Sequence, residues 1–196
     1  MRNPIHKRLE HFESWQHLTF MLCLCERMYP NFQLFCQMQD KAQDSKVYHN
    51  ILNLIWEYLT VKGAKINFES QLEKLEAIIP DVNEYDAYGV FPAADACEGL
   101  SHTLHAVISG SSLEQAILVS KLSLQTVAAL LETEQDRTLN EQELKQADDI
   151  QQELDVQWLI YRTLNEAEER DVELLLSLKN ELREEAISNI GIKIDQ

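Results

Sequence analysis

Apolar residues recur at three- and four-residue spacing along almost the whole chain, and glycine and proline fall between the periodic segments. Ser14 caps a predicted helix running through Trp15, Leu18, Leu22 and Cys25 to about Met28. A short helix follows Pro30. Asp44 or Ser45 opens another, with Val47, Ile51, Leu54, Ile55 and Tyr58 on one face. Asn67 caps a fourth, striped by Phe68, Leu72, Leu75 and Ile79. Pro92 suits the first turn of a fifth, where its missing N–H costs no bond. Ser111-Ser112-Leu113-Glu114 reads as a capping box for a sixth, and Asn140-Glu141-Gln142-Glu143 as another that opens a C-terminal helical region.

This pattern predicts one all-α domain over residues 1–196, with about seven helices. Segments 15–28, 47–61 and 113–131 are apolar on more than one face and are predicted to be central. Gly99 sits inside a helical pattern, which predicts close helix–helix approach there. Two short stretches alternate as strands do: KGAKINF at 62–68 and NIGIKID at 189–195. The favoured reading of the second is an extended tail anchored by its isoleucines. Pairing of the two stretches, or of two tails across a dimer, is the alternative.

One helical stretch turns acidic. NEAEERD, residues 165–171, interrupts the apolar sequence between WLIYRTL and VELLLSL. On a continuous helix at about 100° per residue, Glu168 falls in the middle of the stripe made by Ile150, Leu154, Tyr161, Leu164, Val172 and Leu175. Asp171 lies at its edge. A buried carboxylate needs a partner, and Arg27, at the end of a mostly apolar helix, is the best candidate. The cluster Arg27, Glu168 and Asp171 then reads as a structural ion pair, or as a polar site able to hold a ligand or a metal. A third reading breaks the helix near Asn165 and leaves the segment in solvent.

Asp95, Glu98, His102 and His105 share one helix face and have the donor types of a transition-metal site. That face points about 160° from the apolar stripe, so the set is read as solvated, a weak metal candidate only. The cysteines, Cys23, Cys25, Cys36 and Cys97, form no C-x-x-C pair and read as small buried hydrophobes. His49, Trp56, Tyr58 and Trp158 have the types that line a cleft, but at helical spacing they read as core aromatics. No Glu-x-x-His, G-x-S-x-G, P-loop or G-x-G-x-x-G motif occurs.

The chain has 33 acidic residues against 17 basic, a net charge of −16, and no Lys/Arg cluster beyond His6-Lys7-Arg8. Nucleic acid and anionic membrane are thereby disfavoured as partners. The charged N-terminal residues do not resemble a signal peptide, and a cytoplasmic protein with reduced thiols is expected.

ESWQHLTFMLCLCERMYPNF at 13–32, LIWEYLTVK, INFESQLEKLE, YDAYGVFPAADAC, EERDVELL and SNIGI together resemble the YjaG-like family of bacterial proteins, a domain-of-unknown-function family found mainly in gamma-proteobacteria. The resemblance covers residues 3–192. It implies a single all-helical, cytoplasmic domain, and it carries no catalytic residue or cofactor onto this sequence. Glu26, Arg27, Glu169, Arg170 and Asp171 fall within the shared motifs.

Two functions follow as expectations. One is a non-catalytic interaction or assembly protein, a homodimer with room for another protein partner. The other is a small-molecule or metal-binding protein, including an enzyme, with a polar pocket near Glu168, Asp171 and Arg27. No cofactor is called for. A cavity reaching those side chains would favour the second.

Overall fold

The computed structural model describes residues 3–167 and 170–194. Among them are nine α-helices: α1 (Ile5–Leu9), α2 (Ser14–Met38), α3 (Ala42–Thr60), α4 (Phe68–Glu76), α5 (Val90–Ser109), α6 (Ser112–Glu134), α7 (Glu141–Gln146), α8 (Asp148–Glu166) and α9 (Val172–Glu185). A 3-10 turn at Val82–Glu84 precedes α5. The chain is one all-α domain with more helices than the sequence pattern predicts.

Pro30 does not end a helix, contrary to expectation. α2 runs unbroken through it for 25 residues. An interior proline removes one hydrogen bond and costs about 3 kcal/mol. Met28 and Phe32 on either side are fully buried, and burying two such side chains contributes a comparable amount, about 1.5–3 kcal/mol each. The C-terminal region divides the other way, into α7, α8 and α9.

α2 is the axis of the fold and packs against α3, α5, α6, α8 and α9. Its companions at the centre are α5 and α6. The expectation that the third helix is central is corrected: α3 buries one face, through Tyr48, Leu52, Ile55 and Leu59, among others. α5 takes its place because several of its buried positions are small. Ala93, Ala96, Cys97 and Gly99 let α2 approach closely. A Cβ on Gly99 would lie 2.6 Å from Met28 Cε, so the expectation of close approach at Gly99 is met. α6 is long and apolar enough to cross a membrane, the one such helix among the described residues; here it packs against α1, α2, α5 and α8.

The C-terminal segment turns back on itself. Ile187 and Lys193 form an antiparallel bridge, Ser188 N donates to Ile192 O at 2.8 Å, and Gly191 supplies a left-handed turn residue at φ +76°. Segment 62–68 takes no part, and Asn67 instead caps α4 by accepting from Ser70 N. The tail's anchor is Asn189, buried between α2 and α6, rather than the isoleucines as a set. It accepts from Asn31 Nδ2 at 2.9 Å and donates to Ser123 O at 3.0 Å.

Candidate functional site

The acidic interruption is a helix break. α8 ends at Glu166, Ala167 is extended at ψ 122°, and α9 begins after Asp171. Asp171 accepts from the N–H groups of Glu173 and Leu174, an N-cap. The continuous-helix wheel therefore fails, and Asp171 is an exposed capping residue. Arg170 donates to Tyr58 O at 3.2 Å and ties the break to α3. Glu168 and Glu169 lie outside the described residues.

Arg27 has a different partner from the one expected. Its Nη2 donates to Glu153 Oε2 on α8 at 3.0 Å. Glu153 is 1% exposed. Its other oxygen, Oε1, accepts from Ser123 Oγ at 2.7 Å and Gln157 Nε2 at 3.3 Å. The polar chain continues. Gln157 Oε1 accepts from Ser120 Oγ at 2.6 Å, and Ser120 Oγ lies 3.1 Å from His6 Nε2. Buried side chains, with half-buried Arg27 and His6 at the two ends, thus link α2, α8, α6 and α1 in one network, where low polarity strengthens the inner bonds.

That network borders a cleft of about 480 Å³. Arg27 and Glu153 line it with Val127 and Leu131 of α6, Val156 of α8 and the turn at Ser188–Gly191. Glu134, Asp149, Asp155 and Glu185 bring exposed carboxylates to the same cleft. The Nε of Arg27 is buried and has no hydrogen-bond partner among the described residues. An orphaned donor of that kind is uncommon and calls for an acceptor. Arg27 was legible as a buried cation; Glu153 was missed. Its signal lay in the spacing Ile150, Glu153, Gln157, Ile160, Leu164, a helical stripe with two polar members, all buried.

A second ion pair sits one residue earlier on α2. Glu26, 6% exposed, accepts from Trp56 Nε1 at 2.8 Å and from Arg183 Nη2 at 2.6 Å. This bond pins α9 to α2 and α3. Of the four aromatics expected in the core only Trp56 is fully buried; His49 and Trp158 are half-buried against Tyr29 and Tyr161, and Tyr58, against Phe68, is exposed.

On α5, Asp95 accepts from Thr126 Oγ1 at 2.8 Å, and burial pushes its carboxyl above the usual range. Glu98 lies 3.5 Å from His102 Nε2, and His102 Nδ1 is 2.7 Å from Gln115 Oε1. His105 is exposed. Among the described residues no three His, Cys, Asp or Glu side chains are disposed to hold a metal ion.

The four cysteines are unpaired and buried. Burial drives Cys25 and Cys36 up to about 12 and Cys97 well above the thiol range, so they are poor nucleophiles at neutral pH.

The family profile described as "Protein of unknown function (DUF416)" matches residues 4–193. A Haemophilus influenzae protein described as uncharacterized is 64% identical over 196 residues, all of both chains. The Escherichia coli K12 protein described as "Uncharacterized protein YjaG" is 55% identical, again over all of both chains. The crystal structure of a DUF416 family protein from Shewanella baltica superposes with a TM-score of 0.91 at 32% identity, covering 98% of this chain and 100% of that one.

Proposed function

The chain belongs to the DUF416 family of proteins of unknown function, and from that premise we propose that it is a non-catalytic binding protein whose ligand site is the Arg27–Glu153 cleft. The observation that carries the reading is the buried Nε–H of Arg27, left without an acceptor in a side chain that lines a cleft of about 480 Å³. Such a donor costs about 1–3 kcal/mol unless something accepts from it. Carboxylates at the cleft favour a cation, and Val127, Leu131 and Val156 supply apolar contact. The ligand is a small molecule that joins a hydrogen-bond acceptor to an amine. A thermal-shift screen of zwitterions and small amines tests this. A ligand should raise the melting temperature of the wild type and leave Arg27→Lys unmoved, because lysine keeps the charge beside Glu153 and lacks the Nε–H. A screen with no hit, or hits equal in both proteins, contradicts it.

Self-association, or docking of another protein, is a second reading. Tyr58 of α3 and Val61, the residue after it ends, are exposed at 40% and 50%, and Val172 and Leu176 of α9 at 38% and 39%. The bond from Arg170 to Tyr58 O brings these two helix ends together. A dimer seated there would dissociate in Val172→Lys/Leu176→Lys by sedimentation equilibrium; an unchanged mass would remove this surface. Both readings take the protein to be cytoplasmic, and four buried, unpaired thiols support that.

A further inference from the structure

A second feature of the fold shares no lining residue with the Arg27 cleft, although the polar network that starts at Arg27 ends at His6 in its wall. A groove of about 1160 Å³ runs between α1, α6 and the α7–α8 region. Its lining holds four of the chain's 17 Lys and Arg, namely Lys7, Arg8, Lys121 and Lys145, and one of its 33 Asp and Glu, Glu10. In a chain of net charge −16 that local reversal is not a sample of the average surface. The sequence displays only His6-Lys7-Arg8. Those three complement the C-terminal end of α1, but this does not account for Lys121 and Lys145, which other helices deliver to the same groove. Lys145 is partly neutralised by Glu141 at 2.9 Å. Lys7, Arg8 and Lys121 are exposed.

An apolar slot of about 170 Å³ adjoins the groove and shares His6 and Lys121 with it. Leu124, Ala128, Leu144 and Ile150 line the slot. A cationic groove opening onto an apolar slot through a common His–Lys pair matches one ligand chemistry: an anionic head with a compact apolar group. We propose that this groove binds a small phosphate monoester bearing an apolar or aromatic moiety, its phosphate held by Lys7, Arg8 and Lys121 and its apolar group in the slot. A long polyanion is disfavoured, because it would extend beyond the groove over a chain of net charge −16. His6 supports the placement. Burial, with the charge of Lys121 adding, lowers its pKa, and a phosphate seated between the two reverses the second effect.

Calorimetric titration of the full chain at low salt with phenyl phosphate, inorganic phosphate and benzyl alcohol tests the proposal. Phenyl phosphate should bind at one saturable site, inorganic phosphate more weakly, and benzyl alcohol not measurably. Lys7→Glu/Lys121→Glu should weaken phenyl phosphate at least about tenfold, Lys121→Ala should weaken it less, and Arg27→Lys should leave it unchanged. Circular-dichroism melting checks that both Lys variants fold. The His6 ring pKa, followed by NMR, should rise on binding. The proposal is overturned by absence of saturable binding, by inorganic phosphate binding as tightly as phenyl phosphate, by insensitivity to both Lys variants, or by loss of binding in Arg27→Lys.

Discussion

Arg27 and Glu153, 126 residues apart in sequence, meet at 3.0 Å between α2 and α8. The carboxylate is fully occupied by Arg27, Ser123 and Gln157, while the guanidinium keeps one buried N–H unbonded. The asymmetry lies on the side of the cation, and the proposed ligand site follows from it. Removing the cation altogether leaves the buried Glu153 carboxylate without its ion-pair partner. Arg27→Ala should cost about 3–5 kcal/mol, read by urea unfolding, against a much smaller loss for Arg27→Lys.

The tail is held by the amide of Asn189 and by Ile190, which packs against the cluster of Leu124, Val127 and Ile150. Asn189→Ala removes its bonds to Asn31 and Ser123 and should destabilise the fold by about 1–3 kcal/mol. Truncation after Ser188 should cost at least as much. Equal melting temperatures for the wild type and both variants would show that the tail contributes nothing.

Gly99 offers a graded test of helix contact. Its added Cβ would press on Met28 Cε at 2.6 Å, the mobile end of a flexible side chain, with Cys25 Sγ at 3.8 Å. Gly99→Ala gains about 1 kcal/mol of helix propensity and should change stability by less than that. Gly99→Leu should cost about 1–3 kcal/mol or more by overpacking. Chemical denaturation separates them.

His17 sets part of the acid response. Leu9 O, 2.8 Å from Nε2, can only accept, so Nε2 carries the proton, and Nδ1 accepts from Ser112 Oγ at 3.0 Å. Burial lowers the ring below its ordinary 6.5, with the bond to Leu9 acting the other way. The folded state therefore favours the neutral ring. That stability is present above 6.5 and is lost as pH falls through the folded value. His6 and His49, also lowered by burial, act in the same direction. Asp95, raised by burial, acts oppositely: its contribution is full below 3.8 and is lost as pH rises through its folded value. The melting temperature should fall between about pH 7 and pH 5, with a shallower slope in His17→Gln. An equal slope would exclude His17.

Helix identity was legible because apolar spacing and caps act locally: Asn67, the Asn140–Glu143 box and Gly99 each behave as their sequence neighbourhoods predict. Two caps and the continuity of helices were read wrongly: Glu13 with Gln16, not Ser14, forms the box that opens α2, and Ser111 makes no side-chain cap bond to α6. Pro30 breaks a helix by local rules, yet α2 is buried along most of its length, and packing outweighs one lost bond. Asp171 followed by Glu173 and Leu174 is a cap written in plain sight, but the apolar stripe on either side suggested a single helix. Glu153 and Lys121 are tertiary facts. Nothing near either residue in sequence announces Arg27 or Lys7 as a neighbour.

The most direct test of the central claim is native mass spectrometry of the wild type and Arg27→Lys, purified in parallel from the protein's own host. The account predicts a stoichiometric small-molecule adduct on the wild type that is absent from Arg27→Lys. A wild type free of adduct in repeated preparations, or an adduct carried equally by both proteins, would contradict it.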